Sequence, residues 1–493
     1  MKTVTINRFD SGQAEDIRTT SDFFSEQSYN FDITTKPNTL TPKRDMVAET
    51  FNSGTITDYD ITDVVPATYS STYIFGYGRE SSVSTKACFF RKNSTSDITA
   101  NWISVVAYSA SVSTPVAGTL VEYKGLLYAL TSSNLIELTD LSTITSRGNI
   151  VGTPNTNGVK PFVHPEDKIL YFANANVVGK WDGTTFTGTA FELPTSMIIT
   201  SLTSFGGYLA IACKPVTGQG RSYVYLWGRD TSLTTAQGII DWGDNNLEIL
   251  ENLGEVLIGV SATKNIGSFT TNNWHKYSVK AYAGGSVEPV AEYTRSSYYV
   301  LKPYKAKDTD KIYFGFDTDN VIYMVGKNKQ GRYFVSGENY VTPNGGFPTG
   351  ALTGISLVSD TLFTSYTDGG TSGYLARTST TYANESVYIT TVNPKMETGD
   401  RYKAKKLKGI QVAYEVLSSN GTVEVGYYSN EDGTLHDVIS ETKTASGNYV
   451  ARDSGESDGS PFRDSEEFKF RIACTGNVRI KELRYKYETY ETL

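Results

Sequence analysis

Residues 168–188 read KILYFANANVVGKWDGTTFTG. The run from Ile169 to Ala173 is short, apolar and aromatic, and Asn174-Ala175-Asn176 interrupts it. Val177 to Trp181 is a second short run, and Asp182-Gly183 follows it. Asn, Asp and Gly favour such places, because they tolerate left-handed backbone angles and Asx side chains bond the local chain. The stretch therefore predicts a strand, a tight turn, a second strand and a second turn. Trp181 ends the second strand and is expected to pack between sheets. The Trp-Asp dipeptide is not repeated in the related stretches, so Trp181-Asp182-Gly183 reads as a turn and not as a site.

The same grammar recurs along the chain. GLLYALTSSNLIELTDLSTITSRG from Gly125 and KIYFGFDTDNVIYMVGKNKQGRYFVSG from Lys311 have the same shape. Looser members are YIFGYGRE with KACFFRK, GGYLAIAC with RSYVYLWGRD, GEVLIGVSATKNIGSFT and TLFTSYTDGGTSGYLART. Their spacing is roughly 35 to 50 residues, the length of one propeller blade. About seven such units fit between Asp60 and Tyr382. One small sheet cannot cover both of its faces, and radial packing buries each sheet against two neighbours. The expectation is an all-β chain: a β-propeller of about seven blades over residues 51–384, then a β-sandwich of jelly-roll type over 385–493. Residues 1–50 are sparse in apolar positions and carry Pro37 and Pro42. They predict an extended N-terminal arm with one short strand around Tyr29 to Thr34, laid along a neighbour or the body.

Composition narrows the function classes. The chain has 493 residues, 39% hydrophobic and 20% charged, which is neither a disordered nor a membrane composition. No apolar run approaches the roughly 20 residues that span a bilayer, so no membrane span is expected. MKTVTINRFDSGQAEDIRTT has one early lysine with no apolar core behind it, so a cytosolic start is expected. A net charge of −8 argues against a protein that coats nucleic acid. Cys88, Cys213 and Cys474 sit far apart among apolar neighbours and read as buried small hydrophobes. The chain has 34 tyrosines, which suit half-buried strands and interfaces.

Catalytic, metal and cofactor patterns are weak throughout. His164 precedes a proline in a turn, His275 follows Trp274, and His436 stands near a strand end after a turn. All three read as incidental. GESDG around Ser457 matches the nucleophile-elbow letters but lacks the strand before it and the helix after it. Propellers can cleave sugars with two acids aimed into a central channel, and Asp241, Asp244, Asp317 and Asp319 are acidic candidates. They lie in DWGDNN and FDTDNV, which read as turns. EF-hand loops, phosphate-binding glycine motifs and zinc spacings do not occur, and GQGRS at Gly218 reads as a hairpin end. The expected set is therefore no catalytic residue, no metal, no cofactor and no enzyme activity. RYKAKKLKG, residues 401–409, reads as a strand edge kept from pairing by lysines. Its sharper reading is a basic seam toward an acidic neighbour or packaged DNA.

Two strings carry a family likeness. YNFDITTKPNTLTPKRDM, residues 29–46, resembles the opening of propeller-bearing virion proteins of tailed bacteriophages, where such a segment leads into the first blade. KKLKGIQVAYEVLSSNGTVEVGYYSNEDGTLHDVI with FRIACTGNVRIKELRYKYE resembles their closing sandwich, with Leu435-His436 where an aromatic usually follows the Asp-Gly turn. The resemblance implies a structural virion component of the tail hub, nozzle or head-to-tail adaptor class, assembled in the host cytoplasm. It implies other virion proteins as partners (portal, adaptor or tail components) and a homo-oligomeric ring. The alternative is a carbohydrate-binding or carbohydrate-cleaving propeller of a phage tail or bacterial surface. A third is a bacterial propeller scaffold for protein–protein contacts.

Overall fold

The computed structural model describes residues 2–6, 25–29, 31–32, 40–42, 44–49, 59–66, 74–80, 87–92, 102–107, 114–151, 158–218, 220–243, 246–269, 272–295, 301–316, 321–327, 333–340, 351–367, 373–382, 386–392, 404–417, 420–429, 434–457, 459–465 and 468–490. They form an all-β chain built of antiparallel sheets. Seven four-stranded sheets follow one another among the described residues. Sheet I runs from Tyr59–Pro66 to Trp102–Ala107, sheet II from Val121–Tyr123 to Thr143–Asn149, and sheet III from Phe162–Val163 to Phe186–Glu192. Sheet IV runs from Met197–Phe205 to Gly238–Asp241, sheet V from Leu247–Leu253 to Val287–Arg295, and sheet VI from Leu301–Lys307 to Tyr333–Tyr340. Sheet VII takes Ala351–Val358, Thr361–Thr367 and Gly373–Tyr382, and its fourth strand is Arg44–Ala48 from the N-terminal segment.

The opening stretch explains why sheets stack in series. It forms the two middle strands of sheet III, Leu170–Asn174 and Val177–Trp181, with Ala175 at φ 50° in the turn. Side chains alternate along a strand. Leu170 and Phe172 point into a cluster shared with sheet II, whereas Tyr171 and Ala173 enter one shared with sheet IV. Both faces are buried, so the run is apolar without alternation. Sheet IV repeats the arrangement: Leu209, Ile211 and Cys213 face sheet III, and Ala210 and Ala212 face sheet V. Burying each large side chain contributes about 1.5–3 kcal/mol. Further clusters join I to II, V to VI and VI to VII, and a last one joins VII back to I through Val358, Phe363, Leu375, Ile61 and Trp102. The packing order closes on itself.

Two five-stranded sheets hold the C-terminal residues. Sheet VIII pairs Lys2–Ile6, Val478–Tyr490, Ala404–Val416 and Gly447–Asp453, with Asp464–Ser465 beside Ala404–Val416. Sheet IX pairs Ser25–Tyr29, Ser386–Val392, Phe468–Thr475, Gly421–Ser429 and Leu435–Lys443. Val412, Tyr414 and Ile480 of VIII share one cluster with Val425, Phe470 and Ile472 of IX, and Met324 and Phe334 of sheet VI belong to it too.

Two expectations need correction here. The N-terminal segment carries strands at Lys2–Ile6, Ser25–Tyr29, Phe31–Asp32, Thr41–Pro42 and Arg44–Ala48, not one near Tyr29 to Thr34. Phe31–Asp32 and Thr41–Pro42 pair with each other, and the other three have partners in the distant C-terminal half: Lys2 opposite Tyr487, Tyr29 opposite Val387, and Ala48 opposite Ala376. The basic run is not an open sheet edge, because Lys405 and Lys406 pair with Ser465 and Asp464 on one side and with Thr489 and Glu488 on the other. Lys405 is buried, and on the other face Lys406 and Lys408 lie 3.9 Å from Asp464 and 3.1 Å from Glu488. Residues 401–403 lie outside the described residues. The three cysteines are buried thiols, as their apolar settings suggested.

Candidate functional site: the inner-strand charge network

The first strands of sheets IV, V, VI, VII and I meet one another along the ring's inner side, packing between IV and V, V and VI, VI and VII, and VII and I. All five carry a bulge early in the strand: between Ile61 and Asp63, Ile199 and Ser201, Leu247 and Ile249, Leu301 and Lys305, and Leu352 and Gly354. A bulge bends the strand and re-aims the side chains after it. Here it brings polar groups to the seams. Thr200 Oγ1 donates to the Leu247 carbonyl at 2.6 Å, and Ser201 Oγ to the Leu250 carbonyl at 2.9 Å, tying IV to V.

Two buried carboxylates organise the network. Asp63 of sheet I is 1% exposed in its side chain. Its Oδ1 accepts from Ser356 Oγ of sheet VII at 2.5 Å and Val64 N at 2.9 Å, and its Oδ2 from Leu120 N at 3.0 Å. Lys160, leading into sheet III, reaches the same carboxylate at 3.4 Å. One acid thus connects four sheets. Glu251 of sheet V receives Lys305 Nζ at 2.9 Å and Lys307 Nζ at 3.2 Å from sheet VI, and Thr203 Oγ1 at 2.9 Å from sheet IV. Burial works against its charge, but the Lys305 and Lys307 ammoniums prevail and hold Glu251 below the usual carboxylate range. Lys305 also donates to Ser201 Oγ at 2.8 Å and to the Leu250 carbonyl.

The middle of the ring is crossed by these groups. The Tyr304 ring of sheet VI lies so close to Gly118, ahead of sheet II, that a Cβ there would sit 2.7 Å from Cδ1. At the VII–I seam a Cβ on Gly354 would lie 1.6 Å from the Thr62 carbonyl oxygen. Backbone meets backbone there, which only glycine permits. The arrangement positions charge and locks strands. Each carboxylate is engaged by several donors from neighbouring sheets.

The acids and histidines named from sequence sit elsewhere. Asp241 is an exposed strand end paired with Arg221 at 2.9 Å, and Asp244, Asp317 and Asp319 lie outside the described residues. His275 is buried in the third strand of sheet V, Asn272–Tyr282. His436 stacks on Tyr427 with its Nδ1 3.3 Å from the buried Glu456. Ser457, the next residue, is exposed in a loop and its amide donates to the Asp437 carbonyl at 2.8 Å. His164 is fully buried beside Arg229. Gly218 lies at the hairpin end of sheet IV, with φ 69°. Among the described residues no group of His, Cys, Asp and Glu is placed to hold a metal. A groove of about 710 Å³ opens between the outer strands of III and IV, lined by Phe191, Glu192, Tyr225, Leu233, Ile239 and threonines.

Sequence reasoning missed Asp63, Lys160, Glu251 and Lys305. The signal was a charged residue inside an apolar strand run, as in ITDVV, GVKPFV, LEILENL and LKPYKA.

Among the described residues no helix is long and apolar enough to cross a membrane. No protein-family model matches the sequence, and no curated protein does. Solved structures give distant likenesses. The WD40 domain of Toxoplasma gondii coronin is 10% identical with a TM-score of 0.43, covering 69% of this chain and 87% of that one. A chain of the mitotic checkpoint complex is 10% identical at 0.41, covering 67% and 93%. Trypanosoma rangeli sialidase, solved with sialic acid, is 10% identical at 0.32, covering 93% and 95%. At these scores the likenesses say nothing about what this chain does.

Proposed function

We propose that sheets I to VII are the blades of a seven-bladed β-propeller, that sheets VIII and IX form a β-sandwich, and that the chain is a structural protein. In this reading it is a virion component of a tailed bacteriophage, of the tail hub, nozzle or adaptor class, and works by assembly with other virion proteins and with copies of itself. The observation that carries the structural part is the state of the inner charges: Asp63 and Glu251 are consumed in tying strands together. A rigid scaffold with its charges spent internally suits assembly better than acid–base chemistry, which needs a free carboxyl near its substrate. The phage part rests on the resemblance of residues 29–46 and of the C-terminal strings. Mass spectrometry of purified particles tests it: the chain is expected at a small fixed stoichiometry, and its absence from particles ends the reading.

One observation favours a second reading. The groove between III and IV presents Thr189, Thr195, Thr231, Thr234 and Thr235 beside Tyr225 and Phe191, a hydroxyl-rich lining with two aromatic rings. Such a lining fits a neutral carbohydrate. Binding on a glycan array that is lost in Tyr225→Ala supports this reading; a blank array removes it.

A further inference from the structure

We propose that His164 and Arg229 form an acid-sensitive latch across the seam between sheets III and IV, and that protonation of His164 frees the loop following Arg229. The proposal stands apart from the virion reading, since it concerns only how this seam responds to protons.

The geometry is that of a neutral imidazole held by a cation. His164 has no exposed side-chain surface and lies edge-on to the Phe162 and Tyr171 rings, at 6.1 and 6.4 Å between centroids. Arg229 Nη1 is 2.7 Å from Nδ1 and 2.6 Å from Nε2. The Glu166 amide donates toward Nδ1 at 3.3 Å, and the Tyr208 carbonyl lies 3.3 Å from Nε2. Two carboxylates complete the shell. Glu166 Oε2 meets Arg229 Nη2 at 2.8 Å, and Asp167 Oδ2 meets Arg229 Nε at 3.2 Å. Tyr171 donates its hydroxyl to the same Asp167 oxygen at 2.7 Å. Asp230 is turned away and bonds Ser232 through its amide and hydroxyl.

Arg229 is the anchor of a loop. Its backbone sits at φ 67°, a conformation that a non-glycine residue holds only when its surroundings fix it. Residues Thr231 to Ala236 follow and form one wall of the groove facing Thr189 to Thr195. Apart from the Ser232 bonds to Asp230, the loop is tied by Trp227 Nε1 and Leu233 N to the Asp230 carbonyl at 3.3 and 3.1 Å, by Gln237 N to the Leu226 carbonyl at 2.9 Å, and by Gly228 N to Gln237 Oε1 at 2.5 Å.

A proton on His164 changes every term in this cluster. The imidazolium has no lone pair to offer Arg229 and places a second positive charge against the guanidinium. Asp167 Oδ1, already 3.8 Å from Nδ1, gains a reason to pair with the imidazolium and to leave Arg229. Burial first, and the Arg229 guanidinium second, hold His164 below the ordinary histidine value, so the latch stays closed near neutrality and opens on acidification.

The test is hydrogen exchange on the full chain at pH 7.5 and pH 5.0, corrected for intrinsic rates, following peptides over residues 228–240. Strand Tyr208–Pro215 is the internal reference. Wild type is expected to exchange at least about tenfold faster in the loop at pH 5.0, with the reference unchanged. His164→Gln keeps an acceptor for Arg229 but cannot gain charge, so its loop is expected to exchange alike at both pH values. Arg229→Gln is expected to be fast at both. Equal wild-type exchange at the two pH values overturns the proposal, as does an acid response that persists in His164→Gln. Should the variants fail to fold, an NMR titration of the wild-type His164 ring decides: its midpoint must coincide with that of loop opening, and a displaced midpoint overturns the latch.

Discussion

Replacing Glu49 with glutamine should open the ring at its closing strand. Glu49 directly follows Arg44–Ala48, and its side chain is 1% exposed. Its amide donates to the Leu375 carbonyl at 2.8 Å. Its carboxylate takes Trp102 Nε1 at 2.6 Å and Lys92 Nζ from sheet I, and Arg377 Nε from sheet VII. Lys92 and Arg377 are themselves 2% and 8% exposed. Glu49→Gln keeps the shape but leaves two buried cations without a counter-charge. Removing one partner of a buried ion pair costs about 3–5 kcal/mol. At 1.4 kcal/mol per decade this multiplies local opening of the closing strand by roughly 10² to 10³·⁵. Hydrogen exchange over residues 44–49 reads that factor directly, with Leu170–Asn174 of sheet III as the unaffected reference. Replacing Glu49, Lys92 and Arg377 together with methionine should restore most of the protection, since the cations then leave with the anion. Protection of the closing strand within about threefold of wild type in Glu49→Gln would refute the view that this cluster holds the ring shut.

Three further outcomes follow from the same coordinates. Gly354→Ala places a Cβ 1.6 Å from the Thr62 carbonyl oxygen and must part sheets VII and I; a loss of about 3 kcal/mol or more is expected in denaturant unfolding. Asp60 is pushed up to about 6 by burial, with Arg79 opposing at 3.6 Å. The folded form then holds its proton more tightly than the unfolded chain, so this group's contribution falls as pH rises from about 4 to about 6. Asp60→Asn should raise the unfolding free energy at pH 7 by up to about 3 kcal/mol, read by denaturant unfolding, and remove that slope; an unchanged slope would count against burial as the cause. Gly183→Val introduces a β-branched residue at φ 99° with its Cβ 2.8 Å from Lys124 Nζ, and a stability loss of about 1–2 kcal/mol is expected in thermal unfolding.

The middle strands of each sheet were legible because they face neighbours on both sides. LYFA of Leu170–Asn174 and YLAIAC of Tyr208–Pro215 are apolar at every step, short, and bounded by polar or turn residues. The inner strands were hidden by their task. Asp63, Thr200-Ser201, Glu248 and Lys305 are polar because they bridge sheets, and polar residues in short runs read as loop. The N-terminal strands were hidden for another reason. Ser25–Tyr29 and Arg44–Ala48 have no apolar pattern of their own and become strands only by completing sheets whose partners lie hundreds of residues on. Burial of a basic strand between two partners was equally invisible, since Lys405, Lys406 and Lys408 carry the composition of an edge. Trp181 was read correctly as a packed strand end: it is 5% exposed, in the cluster between II and III, with Arg147 5.7 Å over its ring.

The pairing of Lys2 with Tyr487 sets a timetable for synthesis. A ribosome adds about 5–20 residues per second, so the first strand waits roughly 25 to 100 seconds for its partner to emerge. During that interval Val4 and Ile6 have no sheet to join, and sheet VII is not even translated when the strand that completes it, Arg44–Ala48, leaves the exit tunnel. Every inner sheet can form while the chain grows, but closure must be last. A chain cut short before its final strand keeps Lys2–Ile6 unpaired, and one cut before Gly373 leaves Arg44–Ala48 unpaired too, which marks incomplete copies for proteolysis.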